Sequence, residues 1–320
     1  MAEHLFLDQH LILPVGTQVV TRVEVRGAGE TVYPRGSVGV IVKAPVDTEH
    51  SYRVRFLDEG EVALRQQELA VLKQVKQEGL QQAKAGAPEI NLDQYIVYRC
   101  IVGSRAYGLD EPGSDIDRRG IFVPPAEMHW SLYGVPEQVE HDDTQECYWE
   151  IHRFLVLALK VNPNILECLY TPLVEIALDA AEELRAMRSI FLSRLIYQTY
   201  NGYVLSQFRK LDQDVRARGA IKWKHAMHLI RLLLSGVIAL KEGIIPVRVE
   251  EHRDRLLAIR RGEVPWEEVN AWRLSLHREF DAAFATTRLP ERPDYEKANA
   301  FLIKVRRSMA DAKTPGRIVL

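Results

Sequence analysis

Tyr95 to Val102 reads YIVYRCIV and runs directly into Gly103-Ser104-Arg105-Ala106-Tyr107-Gly108, with Ser114-Asp115-Ile116-Asp117 a short turn later. The first run is apolar and β-rich, so it predicts a strand ending in a glycine turn. Two glycines flanking a helix start leave backbone N–H groups open to an anion, and a helix N-terminus favours negative charge. Asp115 and Asp117 are two residues apart, which on a strand puts both carboxylates on one face while Ile116 points into the core. Like charges held side by side repel, and a divalent cation between them removes that cost. Oxygen ligands beside a phosphate-bearing substrate favour Mg2+ or Mn2+ over zinc.

Upstream, short β-branched runs at Thr17–Val25, Gly36–Val42, Tyr52–Phe56 and Glu61–Leu64 are separated by Pro34-Arg35-Gly36 and Asp58-Glu59-Gly60. This spacing predicts a small, strongly bent antiparallel sheet or an SH3-like β-barrel over residues 1–75. Glu68 to Ala87 is rich in Gln, Lys and Ala and reads as an exposed helical linker, with the domain boundary placed at residues 76–90. Residues 91–177 form the α/β core with a mixed sheet, in which Gln145 to Ile151 is a strand leading into the helical pattern Phe154, Leu155, Leu157, Ala158 and Leu159. Residues 178–320 read as a helical C-terminal domain, with apolar positions three and four apart in Ile190–Leu211, Ala226–Leu240 and Trp266–Phe284. The fold class is α+β and multidomain.

A chain of 320 residues, 47% apolar and 27% charged, is long enough for several cores and too apolar for disorder. No uninterrupted apolar run of membrane-spanning length occurs and the N-terminus lacks the order of a signal peptide, so the expectation is a cytoplasmic protein without a membrane partner. Three cysteines without C-x-x-C spacing read as buried apolar residues. Residues 1–184 carry 16 Lys and Arg against 29 Asp and Glu, and residues 185–320 carry 26 against 15, balances of −13 and +11. A basic C-terminal half suits a partner bearing phosphates.

The G-S-x-A-x-G then D-x-D order resembles the nucleotidyltransferases of the DNA polymerase beta superfamily. The longer strings Gly103 to Leu109, Ser114 to Pro125 and Arg153 to Glu167 resemble its RNA repair pathway subgroup, over about residues 95–310, with the β module outside. The resemblance implies transfer of a nucleoside monophosphate from an NTP to a hydroxyl, with an RNA end as acceptor and pyrophosphate released. It implies that Asp115 and Asp117 hold the metal and that Gly103, Ser104 and Arg105 hold the nucleotide. A third metal-binding carboxylate is expected nearby. Glu146, Tyr148 and Glu150 share one strand face, and Glu150 is favoured over Glu146 because it directly precedes the helix near His152 and resembles the family's aromatic-Glu-aliphatic step. Arg119, before Gly120, matches the family better than Arg118 and reads as structural. Lys224, His228 and Arg231 fall at i, i+4 and i+7 on one helix stripe, and with Tyr203, Gln207 and Lys210 on the preceding helix they are candidates to hold phosphates. The alternatives are an NTP-sensing or RNA-binding module without transfer activity, and a protein or small-molecule acceptor. The β module is a candidate surface for a protein partner.

Overall fold

The computed structural model describes residues 12–27, 31–47, 50–75, 91–218 and 221–311. The chain divides into two compact units, Met1–Glu89 and Ile90–Leu320.

In the first unit, strands β1 (Gln18–Thr21), β4 (Val38–Lys43), β5 (Tyr52–Phe56), β6 (Glu61–Leu64) and β7 (Leu69–Val71) form one antiparallel sheet in the order β6-β5-β4-β1-β7. β2 (Val25–Arg26) and β3 (Val32–Tyr33) form a separate ribbon. Alternation does the folding here, because Tyr52, Val54 and Phe56 point inward while Arg53 and Arg55 point to water. They join Val19, Ile41, Leu64 and Leu69 in a core of their own. Tyr33 stacks on Phe56 with ring centroids 3.9 Å apart and donates to Asp58 at 2.8 Å, fixing the Asp58-Glu59-Gly60 turn. The closed SH3-like barrel expected from the sequence is not what forms: β6 and β7 are opposite edges of an open sheet, with no pairing between them among the described residues. Leu69-Ala70-Val71, read from the sequence as the start of a helical stretch, pair with β1 as an edge strand, and the expected linker, residues 76–90, lies outside the described residues.

The second unit is built on a mixed sheet in the order β10-β11-β9-β8-β12: β8 (Ile96–Val102), β9 (Asp117–Phe122), β10 (Gln138–His141), β11 (Glu146–Glu150) and β12 (Val174–Ala177). β9 and β11 are parallel and the other pairs antiparallel. Ten helices accompany it among the described residues. The short ones are α1 (Gly103–Tyr107), α2 (Ala126–Trp130), α3 (Ile151–Leu159), α4 (Pro163–Tyr170) and α5 (Asp179–Ala186). The C-terminal set is α6 (Leu195–Arg218), α7 (Trp223–Glu242), α8 (Arg253–Arg261), α9 (Trp266–Thr286) and α10 (Tyr295–Asp311). No helix among the described residues is long and apolar enough to cross a membrane. One continuous core runs from the sheet into the C-terminal helices, from Val97, Cys100 and Phe154 to Leu233 and Phe280. Cys100, Cys147 and Cys168 are free and buried.

Within that core lies a charged pair. Arg231 of α7 donates to Glu167 of α4 at 2.5 Å, Tyr107 of α1 donates to the other oxygen of the same carboxylate at 2.6 Å, and the guanidinium lies 3.8 Å over the Tyr107 ring. Arg231 is 5% exposed and Glu167 2%. The expectation that Arg231 faces a phosphate is therefore corrected: its charge is spent on Glu167 inside the protein.

Removing one member of a buried ion pair leaves the other charge unpaired, at a cost of about 3–5 kcal/mol, while replacing both by apolar groups is often near neutral. Arg231→Met or Glu167→Leu alone is expected to lower the unfolding free energy measured by urea titration by an amount of that order, and the double variant to recover most of it. Because each unit has its own core, deletion of residues 1–89 is expected to leave Ile90–Leu320 folded, with a cooperative thermal transition in circular dichroism.

Candidate active site at the glycine turn

The end of β8 and the start of β9 meet as register partners, Val102 opposite Asp117. Gly103 follows with φ +70°, a conformation that L side chains rarely adopt. A Cβ on Gly103 would lie 2.5 Å from Asp117 Oδ2, so glycine is required twice: for the backbone and for the carboxylate resting against it. Ser104, half-buried, follows in the first turn of α1. Gly108, at φ 71°, ends α1 in the left-handed conformation.

Asp115 does not lie on the strand as expected. β9 begins at Asp117, and residues 114–116 form an irregular lead-in that leaves Asp115 exposed and Ile116 half-buried. Arg105 holds this lead-in: Nη2 donates to Ser114 O at 3.0 Å and Nε to Asp115 O at 3.3 Å. Its contacts are thus with the loop bearing the acids, which makes it a positioning residue. Arg119 lies with Nη2 3.7 Å from Asp117 Oδ1 and Nη1 donating to Gln145 O at 2.9 Å.

The parallel register pairs Glu146 with Arg118, Cys147 with Arg119 and Glu150 with Phe122. Paired residues project to the same face, so Cys147 and Arg119 share Asp117's face, while Glu146, Tyr148 and Glu150 lie on the other. Side-chain contacts agree. Arg118 reaches Glu175 at 2.9 Å and Glu146 at 3.7 Å, and Tyr148 donates to Glu146. Glu150 is five residues along the strand from Asp117's level and buried, where it caps α3 by accepting from His152 N at 2.9 Å and Arg153 N at 3.3 Å. Arg306 and His129 lie 3.4 and 3.7 Å from it. The register therefore does not bring Glu150, the expected third carboxylate, to the aspartates. Cys147 is no substitute, since burial pushes its thiol up to about 11.

Of the C-terminal candidates, Lys224 is exposed, His228 half-buried and Arg231 buried, so the stripe descends from solvent into the core. Burial, then the charges of Arg231, Lys224, His225 and Arg260, push His228 down to about 3, leaving a neutral imidazole near neutral pH. Tyr203 accepts from Asn162 at 2.8 Å, joining α6 to the start of α4. Gln207 is half-buried and Lys210 exposed further along α6. None of these three contacts the glycine turn in the structure's hydrogen bonds or ion pairs among the described residues.

The contacts that do reach the turn come from residues without a motif. Tyr107, Gly108 and Leu109 present three successive carbonyls, which accept from Val249 N at 3.1 Å, Arg253 Nε at 2.7 Å and Arg260 Nη1 at 3.0 Å. Arg260 and Arg261 also face Glu111 at 3.8 and 3.6 Å. The only signal in the sequence was the basic run of α8.

The chain is 31% identical over 156 residues to the uncharacterized protein YcgL of Bacillus subtilis (strain 168), a match covering 47% of this chain and 58% of that protein, so the chain spans little more than half of that relative. The sequence pattern of the RNA repair pathway DNA polymerase beta family matches residues 65–304, which takes in β7 of the first unit and nearly all of the second. The chain belongs to the RNA repair pathway DNA polymerase beta family.

Proposed function

We propose that this protein transfers a nucleoside monophosphate from an NTP to the hydroxyl of an RNA end. Family membership supports a polymerase-beta-type nucleotidyltransferase. The observation that carries the reading is the seat of the Asp117 carboxylate against the Cβ-less face of Gly103, where the first turn of α1 begins. On this reading, a carboxylate able to bind a metal would sit next to backbone N–H groups that can receive a phosphate.

Polymerase-beta-type nucleotidyltransferases generally use divalent metals. Asp115 and Asp117 are the residues that would hold one Mg2+ or Mn2+, since Mg2+ is commonly held by one or two carboxylates together with substrate phosphates. Bound there, the ion would neutralise phosphate charge and polarise the α-phosphoryl group. The chain's own residues do the rest. Gly103 and Ser104 hold the β- and γ-phosphates, and Arg105 keeps the Ser114–Asp115 backbone in reach of α1. The acceptor oxygen attacks the α-phosphorus in line, forming one P–O bond as the bond to pyrophosphate breaks, and the acceptor proton leaves to solvent. Lys224, at the exposed end of α7, adds positive charge for the triphosphate or the RNA backbone, with neutral His228 beside it as a hydrogen-bonding group. The open β sheet of the first unit is a candidate for holding the acceptor.

Incubation with labelled NTPs, Mg2+ and an RNA pool tests the proposal: label should pass to RNA, and Asp115→Ala and Asp117→Ala should bring transfer to background. Bound NTP without transfer in the wild-type protein would replace this reading with nucleotide recognition alone, which the lack of a metal-holding group of three or more His, Cys, Asp or Glu among the described residues favours. Gly103→Ala should cost about 1–2 kcal/mol in stability, from the left-handed backbone alone, and should also lose transfer by displacing Asp117. A Gly103→Ala variant with wild-type kcat and KM would show that the carboxylate is not used where it lies. Lys224→Ala should raise the KM for NTP or RNA several-fold, with little change in kcat, and flatten the salt dependence of binding. An unchanged salt slope would place it outside the phosphate path.

A further inference from the structure

We infer that the site at Asp117 holds one divalent cation and not a pair, and that Gln145 stands where a third carboxylate would complete the pair. This rests on the nucleotidyltransferase reading above and departs from the third acid expected on that reading. The register pairs Glu146 with Arg118, so the preceding residue, Gln145, stands level with Asp117. Arg119 measures how close they are, since one guanidinium nitrogen bonds Gln145 O at 2.9 Å while the other is 3.7 Å from Asp117 Oδ1. Position 145 ends the hairpin with φ 56°, and its side chain is an amide whose Nε2 donates to Asp142 O at 3.0 Å.

Two ions about 3.5–4 Å apart each need their own oxygen ligands, and Asp115 and Asp117 beside the substrate phosphates make up the set that Mg2+ commonly takes for one. The neighbouring acids do not provide a second set. Glu146 is on the far face with Arg118 and Tyr148, Glu150 caps α3, and Glu140, opposite Cys147, is a further strand away. Cys147 lies on the right face but presents a soft thiol, a poor ligand for a hard ion. Among the described residues, no group of three or more His, Cys, Asp or Glu is placed to hold a metal ion. What lies between β9 and β11 at this level is the fixed positive charge of Arg119.

Equilibrium dialysis of the full chain against labelled Mn2+ and α,β-methylene analogues of the four NTPs counts ions per bound nucleotide without turnover. The wild-type protein is expected to hold one Mn2+ per bound analogue, Gln145→Ala also one, and Gln145→Glu two, with the variants' thermal transitions unchanged. Two ions in the wild-type protein would overturn the single-ion inference and leave the transfer reading standing. One ion in a folded Gln145→Glu variant would overturn the assignment of position 145. No bound analogue in the wild-type protein would instead overturn the nucleotidyltransferase reading and this inference with it.

Discussion

Glu167 is a carboxylate almost without access to water, shared between a guanidinium from α7 and a phenol from α1. Burying such a group is costly unless both oxygens are taken, and here each oxygen has one short partner. Tyr107 is the last residue of the helix that begins at Gly103, so this bond sets the tilt of the glycine turn against the C-terminal helices. The arginine lies flat on the same tyrosine ring, which adds a cation–π contact to the ion pair. Geometry at Asp117 depends on this arrangement, because Gly103 and Tyr107 are the two ends of one five-residue helix.

Much of this was legible in the sequence, and the failures have a common cause. β5 and β6 fall where alternation put them, because inward and outward side chains differ sharply in polarity there. β8, the glycine turn, β11 and the start of α3 were also readable, from local signals of apolar run, glycine and period. β7 was hidden because Leu69-Ala70-Val71 is short and continues into a Gln- and Lys-rich stretch. Period two correctly groups Glu146, Tyr148 and Glu150, but says nothing about which face Asp117 takes. That parity comes from the pairing of β9 with β11, a contact between segments some thirty residues apart. Likewise, helical period places Lys224, His228 and Arg231 on one stripe, while depth along α7 decides that the first meets water and the last meets Glu167. Arg253 and Arg260 carried no motif, since their partners are backbone carbonyls, which every residue has.

The sheet also separates two electrostatic settings. On one face Asp117 and Arg119 lie at the glycine turn beside the buried thiol of Cys147. On the other, Arg99 and Arg118 share Glu175 at 3.0 and 2.9 Å, and Arg118 also meets Glu146. Glutamates on that second face are neutralised locally, so their charge adds little to the field at Asp117.

Tyr107 O is one of the carbonyls that α1 leaves without an intrahelical partner, and Gly108 O and Leu109 O follow it just past the helix end. Water normally serves such groups, yet here Val249, Arg253 and Arg260 take all three. The glycine turn therefore cannot loosen on its own: opening it strips donors from the segment leading into α8 and from α8 itself, and fraying of α8 exposes the turn. In hydrogen-exchange terms the two form one cooperative unit although about 140 residues separate them in sequence. By thermodynamic reciprocity, a ligand that orders the turn also protects α8, and any contact that steadies α8 tightens the turn.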